Sequence, residues 1–167
     1  KIGLAADDVE RYTEQVAKMA TAFDMSTEKS GKSVATMMTI FNTGLEGVAE
    51  LSDAINHLSS SGASNAEDII EILTRVGGSA QNFGLAKEEV AALAHAFLEL
   101  GQSPEIASTS LKNFFVQLST AEKQGSSFQE SLEKMGMSSV ELAQSIRDNP
   151  QRAIIDFLGS VNKLDDA

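Results

Sequence analysis

Apolar residues recur at every third or fourth position along most of this chain, and in no window do they alternate with period two for long enough to suggest a strand. Val9, Tyr12, Val16, Met19 and Phe23 form the first such stripe. Val34, Met37, Met38 and Phe41 form the second, and Val48, Leu51, Ile55 and Leu58 the third. Ile69, Ile72, Leu73 and Val76 follow, then Val90, Leu93, Ala94, Phe97 and Leu98. Leu111, Phe114, Phe115 and Leu118 make the clearest core face, and Ile154, Phe157, Leu158, Val161 and Leu164 close the series. Each stripe lies along one side of a helix and must be buried against another element. A chain patterned this way folds by laying amphipathic helices side by side.

The breaks between stripes carry helix-start and helix-stop chemistry. Ser26 is expected to open the second helix and Gly44 to end it. Ser59-Ser60-Ser61-Gly62 closes the third. Ser64-Asn65-Ala66-Glu67 reads as a capping box, in which the serine takes one free amide and the glutamate reaches back to another. Ser126 to Gln129 and Ser138 to Glu141 read the same way. Ser103-Pro104-Glu105 combines a cap, a proline at the first helical position and a negative charge at the positive end of the helix dipole. Asn149-Pro150 opens the last helix. Gly77-Gly78 is expected to break or kink the helix that carries them. The expected fold is all-α, an irregular bundle of about nine short-to-medium helices arranged largely as helical hairpins.

A weak repeat runs through these elements. Gly3-Leu4-Ala5 and Gly84-Leu85-Ala86 begin similar segments, with Gly44-Leu45-Glu46 between them, at steps of 41 and 40 residues. A looser Gly136-Met137 comes 52 residues later. A period near forty is the length of a two-helix unit. It slips after about residue 125, where the helices shorten, so a regular stack is the less favoured arrangement. Residues 1–125 are read as a helical-hairpin region, and residues 126–167 as shorter helices completing the same domain. The start at Lys1 and the end at Ala167 are read as those of an excised fragment.

Charge narrows the partners. Thirteen basic residues are scattered among twenty-four acidic ones, for a net charge of −11. Gripping a nucleic-acid backbone requires clustered Lys and Arg, and anionic membrane surfaces attract the same clusters. No nucleic-acid or membrane contact is expected of this segment. Its longest apolar run, Val90 to Leu98, is interrupted by His95 and falls far short of the ~20 residues that a span needs. The chain has no cysteine, which removes disulfides and thiolate metal sites.

Residues that could carry chemistry each have a plainer role. Gly31-Lys32-Ser33 matches the end of a phosphate-binding loop, but the required earlier glycine is Ser26 and no strand precedes it. It is expected to be a solvent-exposed helical turn. His57 sits near a helix end, where it can meet the last carbonyls, and His95 lies near the edge of a packed face. Neither has a second ligand at metal spacing. Asp7-Asp8 and Glu88-Glu89 occupy first helical turns, where negative charge is favoured. Glu67-Asp68 reads likewise, and Asp165-Asp166 is expected to be solvated. Met25 and Met137 precede helix-opening serines and are expected to act as hydrophobic staples, while Met19, Met37, Met38 and Met135 fill the core. No catalytic, cofactor-binding or metal-binding residue is assigned, and no cofactor is expected.

In order along the chain stand Ala20-Thr21-Ala22-Phe23-Asp24-Met25-Ser26, Ala54-Ile55-Asn56-His57-Leu58 and Ser64-Asn65-Ala66-Glu67-Asp68-Ile69. Arg75-Val76-Gly77-Gly78-Ser79-Ala80, Gly84-Leu85-Ala86 with Glu89, Gly101, and Ala107 through Leu111 to Asn113-Phe114 continue the set. This series resembles the core region of phage tail tape measure proteins over roughly residues 1–125. The stretch from Phe128 to Leu164 is similar in style. The resemblance implies a structural module of a much longer virion protein. Such proteins thread through the tail tube, set its length during assembly and leave ahead of the DNA. Implied partners are tail tube subunits, tail assembly chaperones and tail tip proteins. Implied locations are the virion tail tube lumen and the bacterial host cytoplasm during assembly. The ruler function lies in extended helical regions not evident here, and no cell-wall-cleaving pattern known from some members maps onto these residues. Two other classes are kept in view. One is a cytosolic helical-repeat adaptor binding a peptide or protein partner on a concave face. The other is an enzyme built on one glutamate, for which Glu67, Glu99 or Glu141 could be nominated.

Overall fold

The computed structural model describes residues 6–165, with side chains over 8–162. The described residues form nine α-helices and one 3-10 turn, with no strand among them. The helices are α1 (Ala6–Ala22), α2 (Thr27–Ile40), α3 (Leu45–Ser61), α4 (Ala66–Phe83) and α5 (Lys87–Glu99). After α6 (Pro104–Ser119) and the 3-10 turn at Ala121–Lys123 come α7 (Ser126–Lys134), α8 (Ser139–Asp148) and α9 (Pro150–Asp165). No described helix is long and apolar enough to cross a membrane.

Local chemistry explains most of the boundaries. The Ser26 hydroxyl accepts from the Lys29 amide at 3.2 Å, and Ser103 accepts from Ile106 at 3.4 Å ahead of Pro104. Ser138 accepts from the Glu141 amide at 3.2 Å, while Glu141 takes the Ser138 amide at 3.0 Å, a reciprocal cap. Asn149 caps α9 through the Arg152 amide at 2.9 Å.

Other boundaries differ from expectation. The cap of α4 is Asn65, whose side chain accepts from Asp68, and not Ser64. The cap of α7 is Gly125, and Gln129 reaches the Ala121 carbonyl at 2.9 Å rather than closing a box with Ser126. Gly44 does not end α2. That turn is made by Asn42 at φ 45°, a residue type that tolerates the left-handed region, and Gly44 is the extended cap that starts α3. Gly84 is the left-handed residue that stops α4, at φ 99°. The two Gly-Leu segments therefore do opposite jobs, and their likeness is one of letters rather than of structure.

α4 is the centre of the fold. It buries Ala66, Ile69, Ile70, Ile72, Leu73, Val76, Gly77, Ala80 and Phe83, too wide an arc for a helix with one apolar stripe. Helices α2, α3, α5 and α6 pack around it, most extensively α6 and α5. Hairpin pairing of neighbours is tight for α1 with α2 and for α8 with α9. By contrast, α3 packs more extensively on α5 than on its sequence neighbour α4. This is an irregular bundle rather than a stack of equal units.

Gly77 and Gly78 leave α4 unbroken. At Gly77 an added Cβ would lie 2.5 Å from Ile40 Cγ2 and 3.0 Å from Phe41 Cζ, so the glycine lets the end of α2 approach the α4 backbone. One cluster of buried apolar side chains runs from Val16 to Ile154. Phe83, Phe115, Phe114 and Phe157 form a chain of rings with centroids 5.2 to 6.1 Å apart, joining α4, α6 and α9.

Three members of the expected stripes are not inside. Val9, Leu158 and Val161 are 51%, 47% and 37% exposed. Among the described side chains of α9, Ala153 and Ile154 are buried and Phe157 is partly so, because the bundle covers one narrow side of that helix. The side chain of Leu164 lies outside the described residues, as do Gly3 and Leu4.

Candidate functional site

A polar cluster joins the α3–α4 loop to α5. Glu99 Oε1 accepts from the Ala63 and Ser64 amides, both at 2.8 Å. The Ser64 hydroxyl lies 2.6 Å from His95 Nδ1, and Glu99 Oε1 is 3.8 Å from the same nitrogen. Gly62 makes the approach possible, since a Cβ there would fall 2.5 Å from Glu99 Oε1 and 2.7 Å from His95 Cε1.

A serine, a histidine and an acid in contact invite comparison with a nucleophilic triad. Such a triad needs the hydroxyl and the acid on opposite ring nitrogens, so that the imidazole can pass a proton between them. Here both meet Nδ1. The Ser64 amide, then the Ala63 amide and the His95 ring, hold the Glu99 carboxyl below its usual pKa against the opposing effect of desolvation. A general acid at neutral pH needs the reverse shift. The cluster is a latch for a loop.

The other nominated carboxylates are also engaged. Glu141 is held below the ordinary range by the Ser138 hydroxyl and amide. Glu67 pairs with Lys29, bridging α4 to α2. Glu89 takes the Ala86 amide at 2.8 Å, and Glu88 pairs with Lys87 at 2.6 Å. The Lys87 ammonium is raised chiefly by Glu88, with burial opposing and Glu50 assisting. Asp7 and Asp8 lie in the first turn of α1. The side chains of Asp7 and Asp165, and all of Asp166, lie outside the described residues.

Gly31-Lys32-Ser33 lies inside α2, with the Gly31 carbonyl accepting from the Tyr12 hydroxyl at 2.7 Å and Lys32 pairing with Glu28 at 2.9 Å. Only Lys32 faces solvent, and Ser33 is buried, so the expected exposed turn is half right. His57 is exposed and does not serve the end of α3. Ser59, Ser60 and Ser61 do so, donating to the Asn56 and Leu58 carbonyls. All six methionines are buried or packed against the core. The staple geometry fits Met137, whose partner position holds buried Leu142. It does not fit Met25, whose partner position holds Ser30. Among the described residues, no group of three or more His, Cys, Asp or Glu could hold a metal ion.

Several concavities mark the surface of the described residues. One of about 440 Å³ lies at the ends of α4 and α6, lined by Phe83, Leu118, Ile146, Arg147 and Pro150. Another of about 190 Å³ lies between α5 and α9, lined by Leu85, Leu93, Ile154 and Ile155 with Glu89 at its rim. Neither of these two brings two carboxylates, or a histidine and a nucleophile, to one point; open concavities along α1 do gather Glu14 with Glu46 and Glu14 with Asp53, but Glu14 is paired with Lys18 at 2.8 Å. Sequence reasoning found the capping groups of α2, α6, α8 and α9, because each cap spans three or four residues. It missed the loop latch, whose two halves, Ala63-Ser64 and His95 with Glu99, are separated by more than thirty positions.

The class these features define is an all-α structural module. Its polar side chains stabilise helix ends and loops, and its outer surface is apolar in places. Residues 1–167 match the family model described as phage-related minor tail protein. The chain belongs to that family, a family of phage tail components. It is 32% identical over 155 residues to a probable tape measure protein of Halomonas phage phiHAP-1, covering 93% of this chain and 18% of the relative. The chain thus spans less than a fifth of that relative's length. No solved structure matches it.

Proposed function

We propose that this chain is one compact assembly module of a phage tail tape measure protein. In this reading it acts through protein contacts in tail assembly and in the determination of tail length. Its surroundings are the host cytoplasm during assembly and then the lumen of the tail tube. Its partners are tube subunits, assembly chaperones and tip proteins. The observation that carries this is the family match over the whole chain, and the use of each candidate carboxylate as a cap, latch or ion pair agrees with it. A net charge of −11 suits a protein that must not hold the DNA that follows it.

An in-frame deletion of this region from a phage that encodes it, followed by electron microscopy of the tails, tests the proposal. Drawn out as one helix, 167 residues would span ~250 Å, at about 1.5 Å per residue. As a bundle the same chain is only ~40 Å across, from a radius of gyration near 15 Å. The expected outcome is failed tail assembly, or fewer infectious tails whose length changes by no more than the smaller figure. Normal numbers of normal infectious tails would refute the module. Shortening by the larger length would show that the region works as an extended ruler.

A further inference from the structure

The last three helices are tied to the fold differently from the first six. Within α1–α6, polar side-chain bonds cross the contacts between helices. Tyr12 donates to the Gly31 carbonyl from α1 to α2, Gln15 donates to Ser52 from α1 to α3, and Lys29 pairs with Glu67 from α2 to α4. Lys87 pairs with Glu50 from α5 to α3, and Arg75 reaches Glu105 from α4 to α6 at 3.5 Å. Among the described residues, the polar ties of α7–α9 to earlier residues all end at Ala121–Gln124. Gln129 donates to the Ala121 and Gln124 carbonyls, and Arg147 lies 4.0 Å from Glu122. Elsewhere the seam is apolar, with Phe157 against Phe114, Ile146 beside Phe83 and Leu118, and Ile154 beside Leu85 and Leu93. It is also imperfectly filled. The concavity of about 440 Å³ is walled by α4 and α6 on one side and by α8 and Pro150 on the other, and that of about 190 Å³ lies between α5 and α9.

We infer that α7–α9 form a hinged arm, which opens as a unit about Gln124–Gly125 while α1–α6 stay folded. Polar bonds are directional and fix one geometry, whereas apolar contact is non-directional and holds in proportion to the area it seals. Two gaps on the seam reduce that area. The chain crosses from body to arm at Gln124 and Gly125, both extended, with φ −72° and −65°. Gly125 is exposed, a Cβ there would meet nothing within 4 Å, and its amide makes no hydrogen bond among the described residues. The body keeps its own centre without the arm, because α2, α3, α5 and α6 all pack on α4. Within the arm, α9 packs most extensively on α8, so the two leave together. Segments held by few contacts open in this way as cooperative units below the global stability. Opening uncovers Phe83, Phe114 and Leu118, an aromatic-lined face that the closed form covers.

Native-state hydrogen exchange of the chain, followed residue by residue in low concentrations of urea, tests this. Amides of α8 and α9 should exchange through one shared opening, about tenfold or more faster than those of α4 and with a weaker urea dependence. Ile55→Val removes a buried methylene from α3, in the body. It should speed exchange in α4 by about two- to tenfold and leave α8 and α9 unchanged, because the body is intact in the open form. Gly125→Pro suits the observed φ and sacrifices no hydrogen bond, and it should slow α8 and α9 by about two- to fivefold by stiffening the pivot. Exchange in α8 and α9 as slow as in α4, and equally responsive to Ile55→Val, overturns the arm. So does opening of α9 with α8 still protected, or exchange in α8 and α9 that Gly125→Pro leaves unaltered.

Discussion

Two adjacent glycines in α4 should respond in opposite directions to the same substitution. Gly78 is exposed, and a Cβ there meets nothing within 4 Å. Replacing it with alanine restores helix propensity with no steric consequence, a gain of ~0.5–1 kcal/mol. Gly77 is buried, and its Cβ would fall 2.5 Å from Ile40 Cγ2 and 3.0 Å from Phe41 Cζ. Cγ2 hangs directly from a β-branched carbon with a stiff first torsion, so it cannot swing aside cheaply. Overpacking of this kind costs ~1–3 kcal/mol, which the same propensity gain only partly offsets. Gly77→Ala should therefore be up to ~2 kcal/mol less stable than the parent, and about 1–3 kcal/mol below Gly78→Ala. Urea unfolding followed by circular dichroism measures both. At roughly 2–4 °C per kcal/mol the gap also appears as a separation in Tm. Adding Ile40→Ala to Gly77→Ala removes the clashing methyl, so the double variant should lose less than the sum of the single losses. Equal stabilisation by the two alanines, or strict additivity in the cycle, would refute the close-approach explanation.

Three further outcomes follow from the same structure. Asn65→Ala should cost ~0.5–2 kcal/mol and fray the start of α4; Ser64→Ala should leave that end intact in amide exchange, and fraying there would return the cap to Ser64. Glu99 is charged more readily in the fold than in the unfolded chain. Its contribution is complete above the unfolded pKa near ~4.3 and is lost as pH falls through the lower folded pKa. Glu99→Gln should thus flatten the acid side of a plot of urea midpoint against pH and speed exchange at the Ala63 and Ser64 amides; an unchanged acid side would contradict the latch. Phe115→Ala, at a site 2% exposed in the ring chain, should lose ~3–5 kcal/mol, while its exposed neighbour Val116→Ala stays within ~0.5 kcal/mol in the same denaturation assay.

How far this fold can be read from sequence depends on the range of each interaction. Ser26, Ser103-Pro104, Ser138 with Glu141, and Asn149-Pro150 mark helix starts correctly, because a cap involves residues three positions apart and the string contains both partners. The all-α class follows from the spacing of apolar residues, and the resemblance to tape measure proteins rests on the order of such local segments. Neighbouring letters still mislead where two local solutions compete, as at Ser64 against Asn65 and Asn42 against Gly44.

What the tertiary structure alone decides is which surfaces meet. An amphipathic stripe says that a helix must bury one side, and says nothing of what will cover it. That α4 lies at the centre, that Gly77 admits Ile40, and that Glu99 holds a loop thirty-five residues away at Ser64 all depend on chain segments brought together by burial of the whole core. Leu158 and Val161 show the converse. They continue a helical stripe and remain in solvent, because the bundle reaches only the near side of α9. Capping free energies are local and can be read in order along the chain. Packing free energies belong to pairs of distant surfaces, and the sequence names the surfaces without pairing them.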